Sequence, residues 1–108
     1  MASPGLQYLS EFVSTAVLIL LGDGVVAGVL LGRSKAANAG WSVITWAWGL
    51  AVLMGIFVAG PISGAIMNPA LTIALASIDK LSWDLVPGFI AAQMGGAFAG
   101  AVLVYLTY

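Results

Sequence analysis

The sequence predicts an all-α membrane protein with three transmembrane helices and one re-entrant half-helix. Of its 108 residues, 62% are hydrophobic and 6% are charged, whereas a soluble domain has about 25% charged residues. An uncharged run of 43 residues covers positions 36–78. As helix it would measure about 65 Å, against a hydrocarbon core of about 30 Å. Two breakers, Gly60-Pro61 and Asn68-Pro69, divide the run into a full span and a shorter piece.

The shorter piece, about residues 69–78, reaches only about 15 Å as helix, half of a bilayer. A loop and half-helix of this kind are tolerated only where protein buries them or where they line an aqueous cavity. We expect Asn68 to be the N-cap and Pro69 the first helical residue, where a missing N–H costs nothing. The free amides and the Asn68 NH2 would then face the membrane midplane, where they offer hydrogen bonds to neutral oxygens and repel cations.

The three full spans are predicted at about residues 6–31, 41–59 and 85–105. In each span small residues recur at every fourth position, a spacing that lets another helix approach closely. These residues are Gly24, Gly28 and Gly32 in the first span, Ala51, Gly55 and Ala59 in the second, and Ala92, Gly96 and Gly100 in the third.

Composition excludes several function classes. The chain has no cysteine and no histidine, so it lacks the thiol nucleophile and the commonest metal ligand, and we expect no enzyme, catalytic residue, metal or cofactor. A net charge of −1 provides no basic face for nucleic acid. The N-terminus has no positive region, so a cleaved signal peptide is not expected.

One stretch carries a resemblance: Ser63-Gly64-Ala65, then Asn68-Pro69-Ala70 and Thr72. It resembles the first NPA loop of the aquaporin and glycerol-facilitator (major intrinsic protein) family, and the similarity extends over residues 10–105. Members of that family are about twice as long and have inverted repeats. The resemblance implies that residues 1–108 form the N-terminal repeat, without the second NPA loop and the Arg that follows it.

The resemblance also implies roles for particular residues. Trp48 would belong to the selectivity constriction of glycerol-type members, the alternative being an interfacial anchor of the kind expected for Trp41 and Trp46. Ile66-Met67 replaces the family's usual His-Leu, and that His ordinarily braces the loop. The implied pore-lining residues are the backbone carbonyls of Gly64, Ala65 and Ile66 together with the tip formed by Asn68, Pro69 and Ala70.

Two acidic residues lie within the first span. A carboxylate at membrane depth costs at least about 2.5 kcal/mol, so Glu11 should have partners. By resemblance it accepts hydrogen bonds from the NPA-loop amides, the alternatives being exposure at the headgroups and proton transfer. Gln93 on the third span is expected as a buried neighbour in the same polar network. For Asp23, a capped acid and a vestibule or intersubunit site both remain open.

Together these features predict a passive channel for glycerol and small neutral solutes, with water, as a multi-pass protein of the plasma membrane. Two alternatives are a small proton-coupled multidrug exporter, which needs four full spans and a Glu in the first, and a non-conducting channel fragment. Half of a pore wall needs a partner, which would be the missing C-terminal half or an oppositely oriented copy. A homotetramer is implied by resemblance.

Overall fold

The computed structural model describes residues 3–108, and all the regular secondary structure within them is helical. Three of its helices, of 27, 23 and 25 residues, are long and apolar enough to cross a membrane if a short 3-10 turn at Trp83–Leu85 is counted with the last. The remaining helix has nine residues, about 14 Å, so the predicted class of three spans and one half-helix is confirmed. The elements are α1 (Pro4–Leu30), α2 (Trp41–Ser63), α3 (Pro69–Ser77) and α4 (Val86–Thr107).

The half-helix α3 begins as its sequence predicts. Asn68 is extended, with φ −154° and ψ 118°, and its side chain caps the amides of Ala70 and Leu71. Pro69 follows at the first helical position, where its fixed φ suits a helix and no amide is needed. The helix therefore starts at the second breaker.

The first breaker does not end a helix, and this part of the prediction is wrong. Helix α2 continues through Gly60 and Pro61 to Ser63 and ends at Gly64, whose φ of 86° is left-handed. The Gly64 amide closes the last turn by donating to the Gly60 carbonyl at 3.1 Å. Pro61 lies so near the end that it removes one hydrogen bond of the final turns, a loss that membrane helices tolerate.

The spans pack through the small residues of α2 and α4. Ala51 and Ala59 of α2 are 1% and 0% exposed. A Cβ on Gly96 of α4 would overlap the Phe12 carbonyl oxygen of α1, and one on Gly100 would lie 2.6 Å from the Ala16 carbonyl oxygen. These two glycines let α4 lie directly against the α1 backbone. Helix α1 is in contact with α2 as well as with α4.

The predicted small-residue face of α1 is not used in the same way. A Cβ at Gly24 or Gly32 would meet nothing within 4 Å. At Gly28 its nearest neighbours would be the Tyr108 hydroxyl, at 3.3 Å, and the loop after α1. The close approach of α4 to α1 occurs instead where carbonyls of α1 face glycines of α4. At this contact, small residues are therefore needed on α4 and not on α1.

The loop before α3 reaches the middle of the bundle. The Met67 sulfur lies against Gly55, the fifteenth of 23 residues in α2, and the Ser14 carbonyl of α1 lies beside it. Met67 is 8% exposed and packs with Ala59 and Ala65. The Met67 side chain thus reaches inward to Gly55, while the Met67 backbone amide lies on Glu11, the eighth of the 27 residues of α1.

We predict that Gly96→Ala lowers the free energy of unfolding by about 1–3 kcal/mol, because the added Cβ overlaps backbone that cannot move aside cheaply. SDS-induced unfolding in mixed micelles, followed by circular dichroism, measures the change. The matched control is Gly49→Ala in α2, where a Cβ meets nothing within 4 Å; it should be neutral or stabilising by up to about 1 kcal/mol. Equal losses in both variants would contradict the packing described here.

Candidate functional site

The loop joining α2 to α3 has an unusual backbone. Gly64, Ala65 and Met67 have φ values of 86°, 52° and 55°. Glycine adopts this left-handed region freely, but each other residue pays about 1–2 kcal/mol for it. Two such residues within three positions persist only where the surroundings hold them.

Glu11 holds this loop in place. It is 0% exposed, and its Oε1 accepts hydrogen bonds from the Met67 amide at 2.9 Å and from Gln93 Nε2 at 2.7 Å. Its Oε2 accepts from the Ile66 amide at 3.2 Å and from the Ser63 hydroxyl. Both oxygens therefore face donors only, the arrangement that offsets the burial of a carboxylate.

The hydrogen bonds extend from Glu11 into the half-helix. Gln93 Nε2 also donates to Thr72 Oγ1 at 3.0 Å, and Thr72 Oγ1 donates to the Asn68 carbonyl at 2.8 Å. Thr72 and Gln93 are 0% and 1% exposed. One side chain of α4 thus connects the carboxylate on α1 with the first turn of α3.

A second branch fixes the end of α2. The Ser10 hydroxyl donates to Ser63 Oγ at 2.8 Å, and the Ala65 amide donates to the same oxygen at 3.3 Å. Ser63 itself donates to Glu11. We call the set Ser10, Glu11, Ser63, Thr72 and Gln93 the Glu11 network; it ties α1, α2, α3, α4 and the loop together.

The tip of the half-helix is exposed. Asn68 Oδ1 accepts from the amides of Ala70 at 2.8 Å and Leu71 at 3.3 Å. Its Nδ2 makes no hydrogen bond within residues 3–108, and both Asn68 and Ala70 are exposed, with Pro69 half-buried between them. The expectation of free amides at this tip is therefore wrong, because Asn68 itself engages the amides of Ala70, Leu71 and Thr72. The side-chain NH2, at the positive end of the helix, is the donor that is available to an oxygen acceptor.

The three residues before Met67 lie in different surroundings. Gly64 is exposed and borders a groove of about 440 Å³ that is also lined by Ser63, Lys80 and Ser82. Ala65 is buried in the cluster with Met67, and Ile66 is half-buried with its amide on Glu11. The groove opens onto the loop from the side of Lys80, and its lining is mixed, since Pro61, Ile62, Leu81 and Leu85 also contribute.

Trp48 lies apart from this cluster. Its ring packs on Gly22 of α1, eleven residues beyond Glu11, which is about 17 Å along the helix axis. The structure therefore brings together Glu11, Gln93 and residues 63–72, while Trp48 occupies a second level of the bundle. Asp23 is half-buried and makes no hydrogen bond within the described residues.

The sequence analysis assigned no role to Ser10, Ser63 or Thr72. Thr72 follows Asn68 by four residues and so lies on the same helical face, a spacing that could have indicated its bond to the Asn68 carbonyl. Ser63 is the last residue of α2, yet nothing local distinguishes it from a solvated serine. Ser10 precedes Glu11, and only the fold shows which neighbour it meets.

Three apolar spans around a half-helix, which a buried carboxylate holds in place, define a multi-pass membrane protein with a re-entrant loop. The sequence matches the family described as Major intrinsic protein over residues 4–108, and the chain belongs to this family. The resemblance stated from the NPA stretch is thereby confirmed.

Curated relatives and a solved structure agree. The chain is 59% identical over 101 residues to a protein named "Probable glycerol uptake facilitator protein" from Thermotoga maritima, covering 94% of this chain and 43% of that one. It is 50% identical to the "Glycerol uptake facilitator protein" of Bacillus subtilis, with coverage of 94% and 37%. The aquaglyceroporin of Plasmodium falciparum superposes with a TM-score of 0.86 at 37% identity, covering 98% and 43%. The chain thus spans less than half the length of these relatives.

We predict that Glu11→Gln destabilises the loop, because one acceptor oxygen becomes an NH2 that faces a donor and leaves a buried group unpaired, at a cost of about 1–3 kcal/mol. Hydrogen exchange of the Ile66 and Met67 amides should accelerate, as measured by mass spectrometry of peptides covering residues 63–69. Asp23→Asn, the same chemical change on the same helix but without hydrogen bonds to lose, is the matched control. Unchanged exchange in Glu11→Gln would show that the carboxylate does not hold the loop.

Proposed function

We propose that this chain forms the N-terminal half of the wall of a passive channel for glycerol and other small neutral solutes, with water as a co-permeant, in the plasma membrane. The observation that carries the proposal is the exposed tip of α3, where the Asn68 side chain caps the first turn with its oxygen and leaves its NH2 available as a donor. A helix tip of this kind donates to hydroxyl and water oxygens and repels cations. The names of the relatives from Thermotoga maritima and Bacillus subtilis support glycerol as the solute.

The proposed pore lining has two levels. At the lower one, the carbonyls of Gly64, Ala65 and Ile66 accept hydrogen bonds from the solute file while Asn68 donates to it. At the upper one, the Trp48 indole forms an apolar wall with a single N–H donor against the carbon edge of a polyol. Glu11 and Gln93 support the loop without touching the solute.

Glu11 argues against the proton-coupled exporter. A coupling carboxylate must exchange protons with an aqueous path, but Glu11 is 0% exposed and both its oxygens are engaged by donors from the loop, α2 and α4. Its geometry suits a fixed brace. No bond-making step is needed for solutes to move down their gradient, so we propose no enzymatic activity.

A pore needs a second half to close its wall. We propose that this chain pairs with a C-terminal repeat, which corresponds to the part of its relatives that this chain does not cover. We further propose that four complete channels associate. The N-terminus and Lys80 would then face the cytoplasm. An oppositely oriented second copy is the other arrangement that completes the wall.

The function is tested by light-scattering measurements on proteoliposomes. Three preparations are compared: empty vesicles, this chain alone, and residues 1–108 fused to the remainder of the Thermotoga maritima relative. We expect fast glycerol and water flux from the fusion without a proton gradient, and exclusion of sodium gluconate. Flux from the chain alone would indicate paired copies. Silence in both protein preparations would favour a non-conducting fragment, and proton-dependent uptake would favour an exporter.

We predict that Asn68→Asp admits cations to the conducting assembly, because it replaces the NH2 donor with a carboxylate oxygen at the tip while leaving a capping oxygen in place. Sodium flux into vesicles loaded with a sodium-sensitive dye measures the leak. Asn38→Asp in the exposed loop after α1 is the matched control and should leave sodium flux unchanged. Equal sodium flux in the two variants would count against a pore at Asn68.

A further inference from the structure

Trp48 differs from the other tryptophans of α2. Trp41 and Trp46 are 70% and 75% exposed, as expected for side chains that face lipid or its interface. Trp48 is half-buried and lies four residues after Ile44 and three before Ala51, which are 4% and 1% exposed. This spacing places Trp48 on the face of α2 that packs against α1.

The Trp48 ring lies directly on the backbone of α1 at Gly22. A Cβ built on Gly22 would lie 2.6 Å from Cη2 of the indole and nearer still to Cε3 and Cζ3. Gly22 is buried, whereas two residues further along α1 a Cβ on Gly24 would meet nothing within 4 Å. The six-membered part of the indole therefore occupies the volume that any side chain at position 22 would need.

We propose that Gly22 is the positioning residue for the Trp48 indole and thereby sets the width of the selectivity constriction. The inference rests on the proposed function, which assigns Trp48 to that constriction. With alanine at position 22, the added methyl group forces the ring away from α1, either by tilting it off its rotamer or by separating the helices. A ring displaced from α1 enters the solute path and obstructs a polyol more than it obstructs water.

The first test reports on the ring itself. In the full chain, Trp41, Trp46 and Trp83 are replaced by phenylalanine; all three are more than half exposed. Trp48 is then the only tryptophan, and it is excited at a wavelength that the tyrosines do not absorb. We expect Gly22→Ala to shift Trp48 emission to the red and to raise its quenching by acrylamide in vesicles. Gly24→Ala, the same change in open space, should match the parent. Equal spectra and quenching in the two variants would overturn the inference.

The second test reports on selectivity in the fusion described above. We expect Gly22→Ala to lower the ratio of glycerol to water permeability by about threefold, which corresponds to about 0.7 kcal/mol of added barrier for glycerol relative to water. Gly24→Ala should preserve the ratio. If Gly22→Ala conducts with an unchanged ratio, the inference is wrong. If the unsubstituted fusion passes no glycerol, the proposed function fails instead, and the fluorescence test alone decides whether Gly22 positions the ring.

A double-mutant cycle separates positioning from a general packing loss. Phenylalanine at position 48 lacks the second ring, so a Cβ at position 22 should be accommodated. Gly22→Ala should therefore lower stability to SDS in the Trp48 background and lower it less with Trp48→Phe. Additive effects in the cycle would mean that Gly22 acts through other contacts and would overturn the inference.

Discussion

The buried carboxylate of Glu11 is the interaction on which the re-entrant loop depends. The amides of Ile66 and Met67 are directed at Glu11 inside the bundle, and leaving them buried and unpaired would cost several kcal/mol in total. Glu11 accepts both, and the Ser63 hydroxyl and the Gln93 amide complete its shell. The same four donors stabilise a charge that would otherwise be expelled from the membrane interior, so loop and carboxylate each depend on the other.

This arrangement bears on the unusual Ile66-Met67 pair. The family resemblance implies a histidine as the loop brace, and an isoleucine side chain there can neither donate nor accept a hydrogen bond. In this chain the loop is held by backbone amides on Glu11 and by the Met67 side chain, which fills the space above Gly55. A flexible thioether suits that irregular gap. The brace is thus provided by main-chain hydrogen bonds and apolar packing, neither of which needs a polar side chain at position 66.

Glycines of the bundle serve two different purposes. Gly96 and Gly100 let α4 approach the carbonyls of α1, a purely structural contact that fixes Gln93 beside Glu11. Gly55 and Gly22 instead admit a side chain, Met67 and Trp48 respectively. Gly55 thereby locates the loop that leads to α3, and Gly22 locates Trp48, so both levels of the proposed pore wall are positioned by contacts with α1 and α2.

The sequence by itself determined the fold class, the start of α3 and the chemistry of its tip. These follow from hydropathy, helix length and the local preferences of Asn68 and Pro69, which act over at most three or four residues. The expectation that Gly60-Pro61 ends the second span was wrong, because a proline in the last turn costs too little to end a helix that the membrane otherwise favours. The support of the loop by Glu11 and Gln93 was expected only by resemblance, and the hydrogen bonds of Ser10, Ser63 and Thr72 were decided by the tertiary structure alone. The donors that bind Glu11 lie far from it in the sequence, at separations of 52, 55, 56 and 82 positions. Likewise, Gly22 meets Trp48 only because α1 and α2 pack side by side. No periodicity encodes such pairs, since their partners are chosen by helix packing and by the need to satisfy buried polar groups.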